Sequence, residues 1–121
     1  MAEVLGFHLK EVEKGRVLFC GTPSFSYYNP VGFVHGGYAA TLLDSCMACA
    51  IHSTLDAGFA CTTLEIKVNF VRGLTHETGE VSAEGLIIHP GRRTATAEGK
   101  LRDSEGRVCA HASTTCLVFE L

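Results

Sequence analysis

The chain lacks the features that mark several large functional classes. It has no basic run and a mildly acidic net charge of -3, which argues against a nucleic-acid surface. No apolar stretch reaches the ~20 residues needed to cross a bilayer, and the longest candidate, Tyr38 to Ile51, is interrupted by Asp44. At the start, Met1-Ala2-Glu3-Val4-Leu5 has no positive region followed by a long apolar one, so no secretory signal is expected. Internal repeats, linkers and low-complexity segments are missing, and 121 residues without them predict one domain, residues 1–121. Among His8, His35, His52, His76, His89 and His111 no pair has metal-ligand spacing, so no metal is expected.

Six cysteines could form three disulfides in a secreted protein. Their settings argue otherwise. Cys46, Cys49, Cys61, Cys109 and Cys116 lie inside apolar helical or strand segments, where cysteine behaves as a small buried hydrophobe. Cys46-Met47-Ala48-Cys49 spells a CxxC, but in mid-helix, with no second ligand pair and no thioredoxin-like context. This usage predicts a reducing, cytoplasmic compartment.

What the chain does have is concentrated between Asn29 and Ile51. Asn29-Pro30 is a turn signal, and His35-Gly36-Gly37 lets the backbone come close to another group. From about Tyr38 the run of Ala, Leu, Met and Cys has no strand alternation and is apolar nearly all round, so it predicts a buried helix. Asp44 is the one formal charge inside it, with Ala40, Thr41, Met47 and Ala48 as helical neighbours. An unpaired carboxylate on such a face is costly, which marks Asp44 as a functional candidate. A helix starting near Gly36 offers free N–H groups and a dipole to a developing oxyanion. Asp44 follows eight residues later, roughly 12 Å along the axis at ~1.5 Å per residue. One chain therefore does not bring both groups to one carbonyl. Two chains with antiparallel helices about a two-fold axis can, so the expectation is an active site shared between subunits.

The rest reads as strands. Val4 to Val12 and Arg16 to Gly21 flank the turn Glu13-Lys14-Gly15 as a hairpin. Thr22 to Asn29 is irregular and carries Phe25, Tyr27 and Tyr28. His52 to Gly58 forms a loop. Thr62 to Val71 alternates, with Leu64, Ile66, Val68 and Phe70 expected on the buried face. Strands at about Glu80 to Ile88, Arg93 to Arg102 and Arg107 to Phe119 are joined by His89-Pro90-Gly91 and Asp103-Ser104-Glu105-Gly106. A hairpin, one long helix and consecutive antiparallel strands predict an α+β architecture, a sheet wrapped round a helix.

His35-Gly36-Gly37, then Leu43-Asp44, then Thr62-Thr63-Leu64-Glu65-Ile66-Lys67-Val68-Asn69-Phe70 resembles the PaaI-type hot-dog-fold acyl-CoA thioesterases over essentially the whole chain. The resemblance implies an antiparallel sheet of five to six strands round one central helix, in a homodimer at least and a homotetramer by expectation. It also implies hydrolysis of an acyl-CoA thioester, coenzyme A being part of the substrate. Asp44 would be nucleophile or general base, with the oxyanion hole at Gly36 and Gly37. Asn29 would bind the thioester oxygen or position water, and His35 would position the loop or the thioester. Thr62 would orient a water or the carboxylate, Thr63 beside it would bind substrate, and no separate cofactor is implied. Arg72, Arg92 and Arg93 are the cations expected to meet coenzyme A phosphates. Many relatives carry proline after the arginine of the long strand where this chain has Arg72-Gly73, and some use glutamate where it has Asp44. With the first strand close behind Met1, no leading helix is expected. Two other readings stay open, a hot-dog hydratase or dehydratase and a non-catalytic acyl-CoA-binding dimer.

Overall fold

The computed structural model describes residues 1–121. A short helical turn α1 (Ala2–Leu5) precedes the hairpin β1 (Phe7–Glu13) and β2 (Arg16–Gly21). A 3-10 turn at Phe25–Tyr27 leads to the long helix α2 (Gly36–His52). Strands β3 (Phe59–Phe70), β4 (Val81–His89), β5 (Thr94–Arg102) and β6 (Val108–Glu120) follow. All six strands form one antiparallel sheet in the order β1-β2-β4-β5-β6-β3, so β3 lies at one edge. Helix α2 touches every strand. This is the α+β hot-dog arrangement expected from the pattern, with six strands.

Composition and end-capping explain why α2 forms where it does. Its start is capped by the His35 ring, whose Nδ1 accepts from the Gly37 N–H at 2.8 Å. At its end, Ser53 and Thr54 hydroxyls donate to the carbonyls of Ala50 and Ile51 at 2.6 and 2.7 Å, satisfying groups a helix otherwise leaves open. Ser53 Oγ also accepts from the Gly15 N–H at 2.8 Å, tying the helix end to the first hairpin. Toward the sheet the helix buries Leu42, Leu43, Met47 and Ile51 completely; each is worth about 1.5–3 kcal/mol over an exposed side chain.

The helix lies closest to the sheet where Gly85 of β4 pairs with Gly99 of β5. A Cβ at Gly85 would collide with the Cys46 carbonyl, and one at Gly99 would stand 3.0 Å from Met47 Cγ. Larger residues here would push the helix off its sheet. Neither glycine announces this role in the sequence.

Four expectations need correction. The first strand begins at Phe7 rather than Val4, because Ala2–Leu5 forms a helical turn ended by Gly6 at φ 66, a conformation glycine adopts freely. So a short leading helix is present, held by Tyr27 donating to the Val4 carbonyl at 3.2 Å. Helix α2 is not buried all round. Ala40, Thr41, Asp44, Ser45 and Ala48 are half-buried and Cys49 is exposed, because the sheet covers only part of the cylinder. The fourth correction concerns the phase of β3 and bears directly on the site.

Candidate active site

The turn before α2 is built by Asn29. Its Oδ1 accepts from the N–H groups of Val31, Gly32 and Phe33 at 3.0, 3.1 and 3.2 Å. The side chain thus organises the loop, and only its amide Nδ2 remains free for anything else. His35 then caps the helix. With Nδ1 accepting, the N–H that the ring presents to its surroundings is on Nε2. The same bond occupies the Gly37 N–H, which corrects the expectation that both glycine amides stand free. The Gly36 N–H makes no hydrogen bond within the chain, so it is the open donor at the helix start. The Phe70 ring packs over Gly36, 3.1 Å from where a Cβ would stand.

Beside Gly36 lies a cavity of about 230 Å³ between the helix start and the segment after β3. His35, Gly36 and Ala39 line it from the helix side and Phe70, Arg72 and Leu74 from the other, with Leu101, Cys109 and Ala110 at its inner end. The segment that closes it is fixed by backbone bonds. Val71 and Arg72 N–H groups both donate to the Cys109 carbonyl, at 2.8 and 2.9 Å, and Val34 N–H donates to Leu74 O at 2.9 Å. Gly73 lets the Phe33 ring lie on the chain, 2.9 Å from where a Cβ would be.

Asp44 is not in that cavity. It stands mid-helix on the half-buried side, and Thr63 Oγ1 donates to its Oδ1 at 2.8 Å. No lysine or arginine forms an ion pair with it. Thr63, not Thr62, is therefore the hydroxyl that holds the carboxylate; Thr62 is exposed and pairs with Leu117. The cause is a β-bulge between Thr63 and Glu65 that leaves Leu64 over as an extra residue. Before the bulge Cys61 and Thr63 meet the helix; after it Ile66 and Val68 pack on the core. Leu64, expected inside, is 56% exposed. The cysteines near Asp44 do not compete as nucleophiles, since burial, and then the neighbouring Cys116, push the Cys61 thiol up to about 11.

Of the three expected cations, Arg72 alone lines the cavity at the helix start. Arg92 lines a different hollow of about 320 Å³ with Thr54, Asp56, Phe59 and Pro90, just past the helix C-terminus. Arg93, beside it, is exposed and accepts the Val118 N–H on its carbonyl at 2.7 Å. No group of three or more His, Cys, Asp and Glu is placed to hold a metal ion. No helix is long and apolar enough to cross a membrane.

A model of the thioesterase superfamily matches residues 31–110. The chain belongs to the thioesterase superfamily. Within it, a Pseudomonas aeruginosa protein named as an esterase is 32% identical over 95 residues, covering 78% of this chain and 64% of its own length. The chain thus spans just under two thirds of that relative. A 1,4-dihydroxy-2-naphthoyl-CoA hydrolase of Listeria monocytogenes is 24% identical over 118 residues, covering 98% of this chain and 94% of its own. Among solved structures, a Streptococcus mutans protein bound to acetyl-CoA superposes with a TM-score of 0.86 at 28% identity, over 95% of this chain and 90% of its own. The E. coli PaaI protein of the phenylacetic acid degradation operon superposes with a TM-score of 0.89 over 98% of this chain and 83% of its own; at 20% identity it speaks for the fold.

Proposed function

We propose that this superfamily member hydrolyses acyl-CoA thioesters to the free acid and coenzyme A, in a site completed by a second copy of the chain. The observation that carries the reading is the separation of its two reactive parts. An open Gly36 N–H lies beside an apolar cavity, while the carboxylate of Asp44 stands eight residues further along the helix, on a side its own sheet leaves half bare. An antiparallel neighbour across the β3 edge would cover that stripe and bring Asp44 of the partner subunit to Gly36.

In this reading the thioester oxygen binds the Gly36 N–H, with the His35 Nε2–H as second donor. These donors strengthen as negative charge grows on that oxygen. Asp44 of the partner subunit, oriented by its own Thr63, acts as general base for water or as nucleophile. As base, Asp44 takes a proton while the water oxygen bonds to the acyl carbon; the acyl–sulfur bond then breaks and the sulfur receives that proton, leaving as the thiol of coenzyme A. As nucleophile, Asp44 forms a mixed anhydride as the sulfur leaves with a proton from solvent, and water then cleaves the anhydride to the free acid. Asn29 shapes the loop that presents His35 and can offer its Nδ2 to the oxygen or to water. With antiparallel helices, the C-terminal end of the partner's helix lies on the same side as the N-terminus of this one. That would place Arg92 and Arg93 near Arg72, on the side where the phosphates of coenzyme A enter. The S. mutans relative with acetyl-CoA bound supports an acyl-CoA ligand. Pairing of two such dimers would give a tetramer.

The test combines a turnover assay with complementation. Thiol release from a panel of acyl-CoAs should show hydrolysis by the wild type, and both Asp44→Ala and Gly36→Pro should lose it. Gly36 is the first helical residue, where proline fits a helix and removes the N–H in question. Because its Cβ also presses on the Phe70 ring, Gly36→Ala, which keeps the N–H, is the control and should retain most of the activity. Co-refolding the two dead variants should restore about a quarter of wild-type activity, since half of the dimers are mixed and each holds one intact site. No recovery from folded mixed dimers would place both groups of a site on one chain and end the shared-site reading. The bond between Asp44 and Thr63 also suits a purely structural carboxylate, and full activity in Asp44→Ala would establish that role.

A further inference from the structure

Resting on the hydrolase reading above, we infer that the cavity beside Gly36 is a blind acyl pocket for uncharged, compact acyl groups, with Leu101 as its depth stop. The pocket runs from exposed Phe70 and Val71 at the rim into the core, where Leu101, Ala110, Cys109 and Ala39 are at most 4% exposed. It therefore has one open end, the end where the Gly36 N–H waits. An acyl group entering there leaves its carbonyl at the helix start and its tail against Leu101.

Volume sets the size limit. A dry apolar cavity of about 150 Å³ takes benzene, so space on this scale takes an acyl group of about eight carbons, chain or ring. The space available is about 230 Å³. A palmitoyl tail does not fit without displacing core side chains. The lining sets the polarity. Apart from His35 and Arg72, both exposed, every side chain in it is apolar or a thiol. Arg72 and His35 stand at the exposed rim, so a second carboxylate carried to the inner end among Leu101, Cys109 and Ala110 would be desolvated with no partner, and dicarboxylic acyl groups are disfavoured. Narrowness is set by Ala39 and Ala110, small residues where a larger side chain would occupy the space.

Two readouts test this. First, kcat/KM is measured along straight-chain thioesters from acetyl- to palmitoyl-CoA, with glutaryl-CoA as the charged control. It should rise roughly fourfold per methylene up to about octanoyl-CoA, as each CH₂ leaves water. Beyond that it should fall, and glutaryl-CoA should be at least ~100-fold poorer than pentanoyl-CoA, the uncharged acyl group of the same carbon count. Leu101→Ala should move the optimum longer by about three carbons, and Ala39→Leu should move it shorter. Second, binding of non-hydrolysable S-alkyl coenzyme A thioethers by calorimetry should show the same length optimum in the wild type and both variants. Palmitoyl-CoA as the best substrate, or a Leu101→Ala protein that is folded with an unchanged profile in both readouts, would overturn the pocket. A thioether optimum that shifts with Leu101 in a protein that cleaves no thioester keeps the pocket and removes the hydrolase reading instead.

Discussion

Asp44 and Asp103 are the same residue in opposite bonding states. Asp103, 7% exposed at the β5–β6 turn, has both oxygens occupied. Its Oδ1 accepts from the N–H groups of Glu105 and Arg107 at 3.0 and 2.9 Å, and its Oδ2 from Arg107 Nε at 2.8 Å. Burial pushes its carboxyl up, but the Arg107 N–H, the Arg107 guanidinium and the Glu105 N–H outweigh it and hold the group below its ordinary value. Asp44 has one partner, the Thr63 hydroxyl, no cation, and a half-open position beside an edge strand. A carboxylate that closes a turn is saturated with donors. One that is to take a proton or attack a carbonyl needs an oxygen left over. The two differ in unfilled bonding capacity as well as in exposure.

The sharpest way to break this comparison is to exchange the consequences of losing each. Asp44→Ala should cut kcat by ~100-fold or more while thermal stability stays close to wild type. Gly36→Pro should cost a similar ~100-fold in kcat, with helix content by circular dichroism unchanged. A smaller effect separates the two threonines. Thr63→Ala should lower kcat about tenfold, by letting the carboxylate turn, whereas Thr62→Ala should leave kcat within about twofold. Equal effects at both positions would mean that the bulge does not set the phase at Asp44. The mildest consequence for activity belongs to Asp103→Asn, which should keep kcat and lower Tm by several degrees. Its pH dependence has a definite sign. A carboxyl with a depressed folded pKa adds stability that is present above its unfolded value of about 3.9. That stability fades as pH falls through the lower folded value. Wild type should therefore lose stability more steeply than Asp103→Asn during acid titration of Tm.

Several elements were legible because local rules and tertiary packing agreed. The second strand runs from Arg16 to Gly21, as the turn Glu13-Lys14-Gly15 before it implies, and the helix starts at Gly36, where the His35 ring caps it. The turn role of Asn29 was readable from Asn29-Pro30. Thr63, not the expected Thr62, holds Asp44 for a physical reason. Alternation from Ile66 backward is correct only if no residue is inserted, and the bulge at Leu64 inserts one. Edge strands tolerate such insertions, because the extra residue costs ladder bonds on one side only. A helix apolar nearly all round predicts a buried Cys49. The structure leaves it exposed because the sheet covers only part of that helix.

The order of elements, the helix with its single carboxylate, and the superfamily were determined by the sequence itself, since they rest on periodicity, on turn chemistry and on a motif of close neighbours. Only the tertiary structure decided which threonine faces Asp44, which of the two glycine amides stays open, and where the cavity ends at Leu101. It also decided that Gly85 and Gly99 form the seat of the helix. The open amide turns on a ring orientation, His35 Nδ1 toward Gly37, that sequence does not specify; the others depend on residues far apart in the chain coming into contact, and such contacts leave no local signature in sequence.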